Sequence, residues 1–139
     1  MPEVLAGFVM GYAISLAVAP LGAWRLISTN DQSGFAQRIA PPGTNFVALS
    51  VVVHLAAVLL LTAIGMILGL MLGGLEERRP NGGLGSPNLV FTLIVVALTA
   101  VVIIPLLILP AVRRYVVISG GIFAALFGWA MPWLATLGD

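Results

Sequence analysis

An all-α integral membrane bundle of four transmembrane helices, joined by antiparallel up-and-down connections, is the fold class this sequence predicts. Three observations predict it. The chain of 139 residues is 60% hydrophobic and 8% charged, where an average soluble domain carries roughly 25% charged residues. Its apolar residues fall into four runs, about residues 4–24, 46–75, 88–112 and 115–137. Each run reaches the ~20 residues that cross a hydrocarbon core at about 1.5 Å per residue. Between them the longest polar stretch extends only from Arg25 to Asn45, so a single transmembrane domain is expected over residues 1–139.

The first run, Val4 to Trp24, follows Glu3 rather than the positive n-region of a secretory signal peptide. Ala17 and Ala19 imitate a cleavage site, but the acidic start and the length favour a retained span. Gly7, Gly11, Ser15 and Ala19 recur every four residues, a stripe of small side chains along which a second helix can approach closely. Pro20 is expected to kink or end the helix. Trp24 and Arg25 then stand where interfacial anchors belong. A turn-rich polar cluster, Ser28 to Gly34, precedes Phe35 to Ile39, which can make one amphipathic turn on the membrane surface. Pro41-Pro42-Gly43 stops any helix there, and Thr44 or Asn45 is the expected N-cap of the second span.

That second span, Phe46 to Leu75, carries no charge and is the stretch around which the other three are expected to be arranged. Gly65, Gly69 and Gly73 give it a glycine-zipper spacing. At ~100° per residue, His54 and Gly65 lie within ~20° of each other, so Ser50, His54, Leu61, Gly65 and Gly69 share one face. The only histidine of the chain therefore points where the helix is built to pack, as an ionisable group within a membrane should.

Glu76, Glu77, Arg78 and Arg79 end this span as a solvated helix terminus. Gly82, Gly83 and Gly85 read as a flexible hairpin connection, and the absence of a following Lys-Ser/Thr pair excludes a phosphate loop. The third span, from Asn88 as N-cap to Val112, is almost uniformly Val, Ile and Leu and has no small-residue stripe. It is expected to be the most lipid-exposed, with a kink between residues 101 and 110 from Pro105 and Pro110. Arg113 and Arg114 are expected to form a very short turn. The fourth span, Tyr115 to Leu137, repeats the small-residue spacing at Gly120, Ala124 and Gly128, and Trp129 and Trp133 form an aromatic belt near its end. With stripes on three of four helices, the simplest bundle packs the first, second and fourth together and leaves the third outside.

Four spans put both termini and the 76–88 loop on one side, with two arginines, and the 25–45 loop and Arg113-Arg114 on the other, with four. The positive-inside rule then makes the arginine-rich side cytoplasmic and both termini non-cytoplasmic. All six basic residues are arginine, a usage that fits a GC-rich bacterial genome and hence a bacterial plasma (inner) membrane.

The chemistry the sequence offers is sparse. A net charge of +1 provides no basic surface for nucleic acid, and the lack of cysteine excludes disulfides, thiolate metal sites, iron–sulfur clusters and a cysteine nucleophile. His54 has three readings: a hydrogen bond to a neighbouring helix, an axial ligand to haem or a pigment, or a relay for protons or solute. Two-histidine haem ligation would need a second chain to supply the partner, and no carboxylate accompanies His54 within a span. The expectation is a non-catalytic accessory or structural subunit, with no enzyme activity, no metal and no cofactor of its own. Its partners would be the lipid bilayer and either other membrane subunits or further copies of itself. The alternatives are a small homo-oligomeric channel or transporter with His54 near the pathway, and a haem- or pigment-holding subunit.

Overall fold

The computed structural model of the chain describes residues 2–33, 43, 45–77, 81–110 and 113–138, without the side chains of residues 23, 25–33 and 46. Its elements are α1 (Pro2–Ser33), α2 (Phe46–Glu76), α3 (Leu89–Leu106), α4 (Arg113–Ala125), a π-helical segment (Leu126–Ala130) and α5 (Met131–Thr136). Among the described residues, four stretches are long and apolar enough to cross a membrane: Pro2–Gly22, Val47–Glu76, Leu89–Leu106 and Arg113–Thr136. The last combines α4, the π segment and α5. The fold is the expected all-α four-span bundle.

Two helix starts are fixed by side-chain caps at asparagines that the sequence marks. The Asn45 carboxamide oxygen accepts from the Val47 amide at 3.0 Å, and that of Asn88 accepts from the Phe91 amide at 3.1 Å. In hydrocarbon such caps matter more than in water, because the first N–H groups of a helix find no solvent to bond.

Several boundaries differ from expectation. Helix α1 runs on through Pro20 and includes Ser28 to Ser33, so the proline neither ends it nor begins a turn. Proline at position 20 removes one bond, to the Leu16 carbonyl, and a membrane helix absorbs that loss where its other bonds persist. In contrast, α3 stops at Leu106 instead of kinking and continuing to Val112. The Ile108 and Leu109 amides bond three residues back, to Pro105 and Leu106, a tightening typical of a last turn. Pro110 disfavours helix at the residue before it, which is why the helix terminates here. Arg113 and Arg114 open α4 rather than forming the turn. The expected surface turn Phe35–Ile39, the Pro41-Pro42 stop, Thr44, and Arg78 and Arg79 lie outside the described residues.

The 81–88 connection is a fixed turn, not a flexible one. Gly83 and Ser86 exchange both backbone bonds, at 3.1 and 2.9 Å, around Leu84 (φ 51°) and Gly85 (φ 74°). Two central residues at positive φ mark a mirror-image tight turn, and Leu84 holds a conformation that costs a non-glycine residue roughly 1 kcal/mol or more. Two tryptophans hold it there: the Trp129 and Trp133 indole N–H groups donate to the Leu84 and Gly85 carbonyls at 3.0 and 2.7 Å.

The hydrophobic core sits at this end of the bundle. Ala6 of α1, Leu68 and Leu72 of α2, Phe91 and Val95 of α3, and Phe127, Met131 and Ala135 of the last span form it. The third span is therefore not outside: its first two turns are central, and only beyond Val95 does α3 have no buried residue. Uniform aliphatic composition carries no directional signal, so the inward face of α3 had no marker in hydrophobicity. Lipid tails are as apolar as leucine, so the gain from this core is close packing between side chains rather than escape from water.

Among the described residues, the closest backbone-to-backbone packing at a glycine joins α1 to α2. They run antiparallel, with Gly7 against Gly65 and Gly11 against Leu61. A Cβ atom on Gly7 would overlap the Gly65 carbonyl oxygen and lie 3.2 Å from the Gly69 Cα; one on Gly65 would overlap the Gly7 carbonyl. Backbone meets backbone here, so the glycines cannot be replaced without separating the helices.

Gly69→Leu should accordingly lower the melting temperature in detergent sharply, by overpacking of ~3 kcal/mol or more, because Gly69 faces the Glu3 carbonyl and the Val4 Cα. Leu70→Ala, at a residue 59% exposed, should leave it within ~0.5 kcal/mol of the parent. Equal melting of the two variants would show that this seam does not hold the helices together.

Candidate functional site

The residues singled out in the sequence divide between two places. Gly7, Gly11, Gly65 and Gly69 come together in the α1–α2 seam, and Ser15 is buried in the same pair of helices. Gly73 borders the seam, where a Cβ would make ordinary contact with the Glu3 carboxylate at 3.5 Å. Gly120 abuts the Ile103 side chain of α3, Gly128 lies beside Thr92 and Val95, and Ala124 is half-buried. The stripes are thus occupied within the chain, and Gly7, Gly11, Gly65 and Gly69 are not free for a second protein. Trp24, Arg113 and Arg114 are exposed, while the Arg25 side chain lies outside the described residues.

His54 lies on α2 beyond the glycines, half-buried, and forms no hydrogen bond among the described residues. Ser50, one turn earlier, is buried but directs its hydroxyl to its own helix, at the Val47 carbonyl, 2.7 Å away. Ser15 does the same toward Tyr12, so neither hydroxyl is directed at the imidazole. Thr62, between His54 and Gly65, has a buried hydroxyl without a partner among the described residues. Among those residues no three His, Asp or Glu side chains gather into a metal-holding group. What His54 can offer is a single imidazole, as a ligand or a hydrogen-bonding group, on a helix surface.

The second place is a polar cluster at the core that sequence reasoning missed. Ser86, Asn88 and Thr92 are each 3% exposed or less. The Thr92 hydroxyl lies 2.7 Å from the Gly128 carbonyl, 2.6 Å from the Ser86 hydroxyl and 3.1 Å from the Asn88 carbonyl. With one proton to give, Thr92 donates to Gly128 and accepts from Ser86, which satisfies both. Gly128 needs this donor for a reason written in the sequence: the residue four positions on is Pro132, which has no N–H. The helix widens at the same point, with the Met131 amide reaching five residues back to Leu126 in the π segment. A proline inside a span, read together with a hydroxyl on a neighbouring span, was the available signal. In the same cluster the Asn88 side-chain nitrogen is buried without an acceptor among the described residues.

This cluster is an interhelical fastening of hydroxyls and a carboxamide, and among the described residues no acid or base is in it to activate the Ser86 or Thr92 hydroxyl. Ser, Thr and Asn can position a bound polar group but cannot move a proton at neutral pH.

Thr92→Val should cost ~1 kcal/mol of stability, since bonds between membrane helices are worth ~0.6 to ~1.7 kcal/mol. Pro132→Ala restores an N–H that can reach Gly128, so in that background the Thr92→Val cost should fall by about half. A double-mutant cycle by denaturant titration in detergent measures this, and strict additivity would mean that Thr92 is not serving the carbonyl that proline leaves open.

In comparisons with known proteins the chain matches no family model, no curated protein and no solved structure.

Proposed function

We propose that the chain is a non-catalytic integral membrane subunit that docks to larger membrane partners and stabilises or regulates them. The observation that supports this reading is the state of α2. One end of this helix is fixed in the seam and the core, yet only 11% of its most apolar stretch is buried by the rest of the chain. Val51, Val52, Leu55 and Leu59 extend its bare surface past His54. A rigidly held helix with a long uncovered side is suited to presenting that side to another membrane protein. The contact differs in kind from the one expected from sequence, because the small-residue faces are taken and the aliphatic side remains. The positive-inside rule places both termini on the non-cytoplasmic side, and the arginine usage fits a bacterial plasma membrane.

A second reading, a small homo-oligomeric channel or transporter, is favoured by His54. Its imidazole has no hydrogen-bonding partner among the described residues, and a polar group in a membrane span acquires one from a neighbouring helix, a pathway or a ligand. The weaker haem- or pigment-holding reading draws on the same side chain, and ligation of a haem by two histidines would take the second from another subunit.

Gentle detergent extraction from the native membrane, followed by native mass spectrometry and an absorption spectrum of the same peak, separates the three. The accessory reading expects co-purification with larger, colourless subunits. A visible haem or chlorin band would move the assignment to cofactor holding. A homo-oligomer that carries a specific flux in liposomes, altered by His54→Gln, would replace the accessory reading with transport.

A further inference from the structure

Beyond the core, α2, α3 and α4 border an open apolar groove of 470 Å³, with Ile64, Leu68, Val102, Leu106, Val116 and Phe123 among its walls. We propose that this groove holds one acyl chain of an anionic phospholipid whose headgroup lies at Arg113.

The lining specifies a hydrocarbon. Its two hydroxyls, Thr99 and Ser119, both turn back to their own helices, donating to Val95 at 2.7 Å and Val116 at 3.2 Å. They offer nothing to a polar occupant. The length suits a lipid tail. Along α3 the lining runs from Val95 to Leu106, about 16 Å at ~1.5 Å per residue, close to the ~15 Å depth of one leaflet.

Charge selects the headgroup. The groove ends at Leu106 and Val116, and one turn below Val116 stands Arg113, exposed and on the same side of α4. Arg113 and Gly120, a groove residue seven positions on, differ by only ~20° around the helix. Arg114 lies ~100° further round and faces away. A guanidinium at the end of an apolar channel one leaflet deep is placed for a lipid phosphate, and among the described residues Arg113 forms no ion pair with a carboxylate that would neutralise it. It prefers a lipid with net negative charge over a zwitterionic one, whose ammonium group offsets the phosphate.

The test uses the full chain, delipidated in neutral detergent and incubated with dioleoyl phosphatidylglycerol or dioleoyl phosphatidylcholine, with native mass spectrometry counting one-to-one adducts. Phosphatidylglycerol should be retained preferentially. Arg113→Gln should lower its retention about fivefold while Arg114→Gln changes it less than twofold. Val102→Trp, which fills the groove from an exposed wall position, should remove both lipids while the protein melts as a folded species. Equal retention of the two lipids, equal effects of the two arginine variants, or adducts that survive Val102→Trp would each overturn the proposal. The arginine pair decides the matter even if the tryptophan variant fails to fold. A co-purified protein that cross-links to a cysteine placed at Ser119, in a chain otherwise free of cysteine, with no lipid adduct, would also overturn it.

Discussion

The fold depends on a place where two backbones touch. Between α1 and α2 the glycines remove the side chains that ordinarily hold helix axes ~8 to ~10 Å apart, and carbonyl oxygens rest against the Cα atoms of the facing helix. Lipid supplies no hydrophobic force to draw helices together, so contact area and the fit of that contact must do it. A glycine seam provides both, and it costs little entropy because glycine has no rotamers to lose on packing. The antiparallel register follows from it: once Gly7 faces Gly65, Gly11 can face only the turn that contains Leu61 and Thr62.

The other pair is joined by different means. Between α3 and the last span the fastening is polar, a threonine proton given to a carbonyl that proline leaves without its usual donor. It lies beside the aromatic and aliphatic core, next to a turn that two indole N–H groups hold in an unfavourable conformation. These fastenings concentrate at one end. Towards the other end, burial among the described residues is confined to contacts such as Ser15, Ala19 and Ser50 within the first pair and Gly120 within the second.

Local features were legible in the sequence and partner choice was not. The four spans follow from composition and length, and the Asn45 and Asn88 caps follow from the need to satisfy the first amides of a helix, so both can be read without knowing the tertiary structure. A small-residue stripe shows that a backbone can be approached but does not name what approaches it. Gly7 and Gly65 chose each other, whereas Gly120 met an isoleucine side chain. The end of α1 lies beyond the proline that signals a stop in the sequence, because in this setting Pro20 removes one hydrogen bond of a long series. The inward position of α3 was hidden because Thr92, a directional marker on nearly the same face as Thr99, gains meaning only when Pro132 is read with it. His54 was conspicuous as the sole imidazole, and its half-buried position on α2 leaves its chemistry to whatever lies beside the chain.

The unequal lengths of the spans bear on how the molecule meets a bilayer. The second span has 30 residues, ~45 Å of helix, and the third has 18, ~27 Å, against hydrocarbon ~30 Å thick. The third matches that thickness standing upright. To submerge its whole apolar length, the second must incline by ~48°, and the glycine seam obliges the first to incline with it. Were two pairs fastened at one end to incline by different amounts, they would diverge toward the other, and hydrophobic mismatch would act on the angle between them. A thicker membrane would let α2 stand up and close that angle; a thinner one would open it.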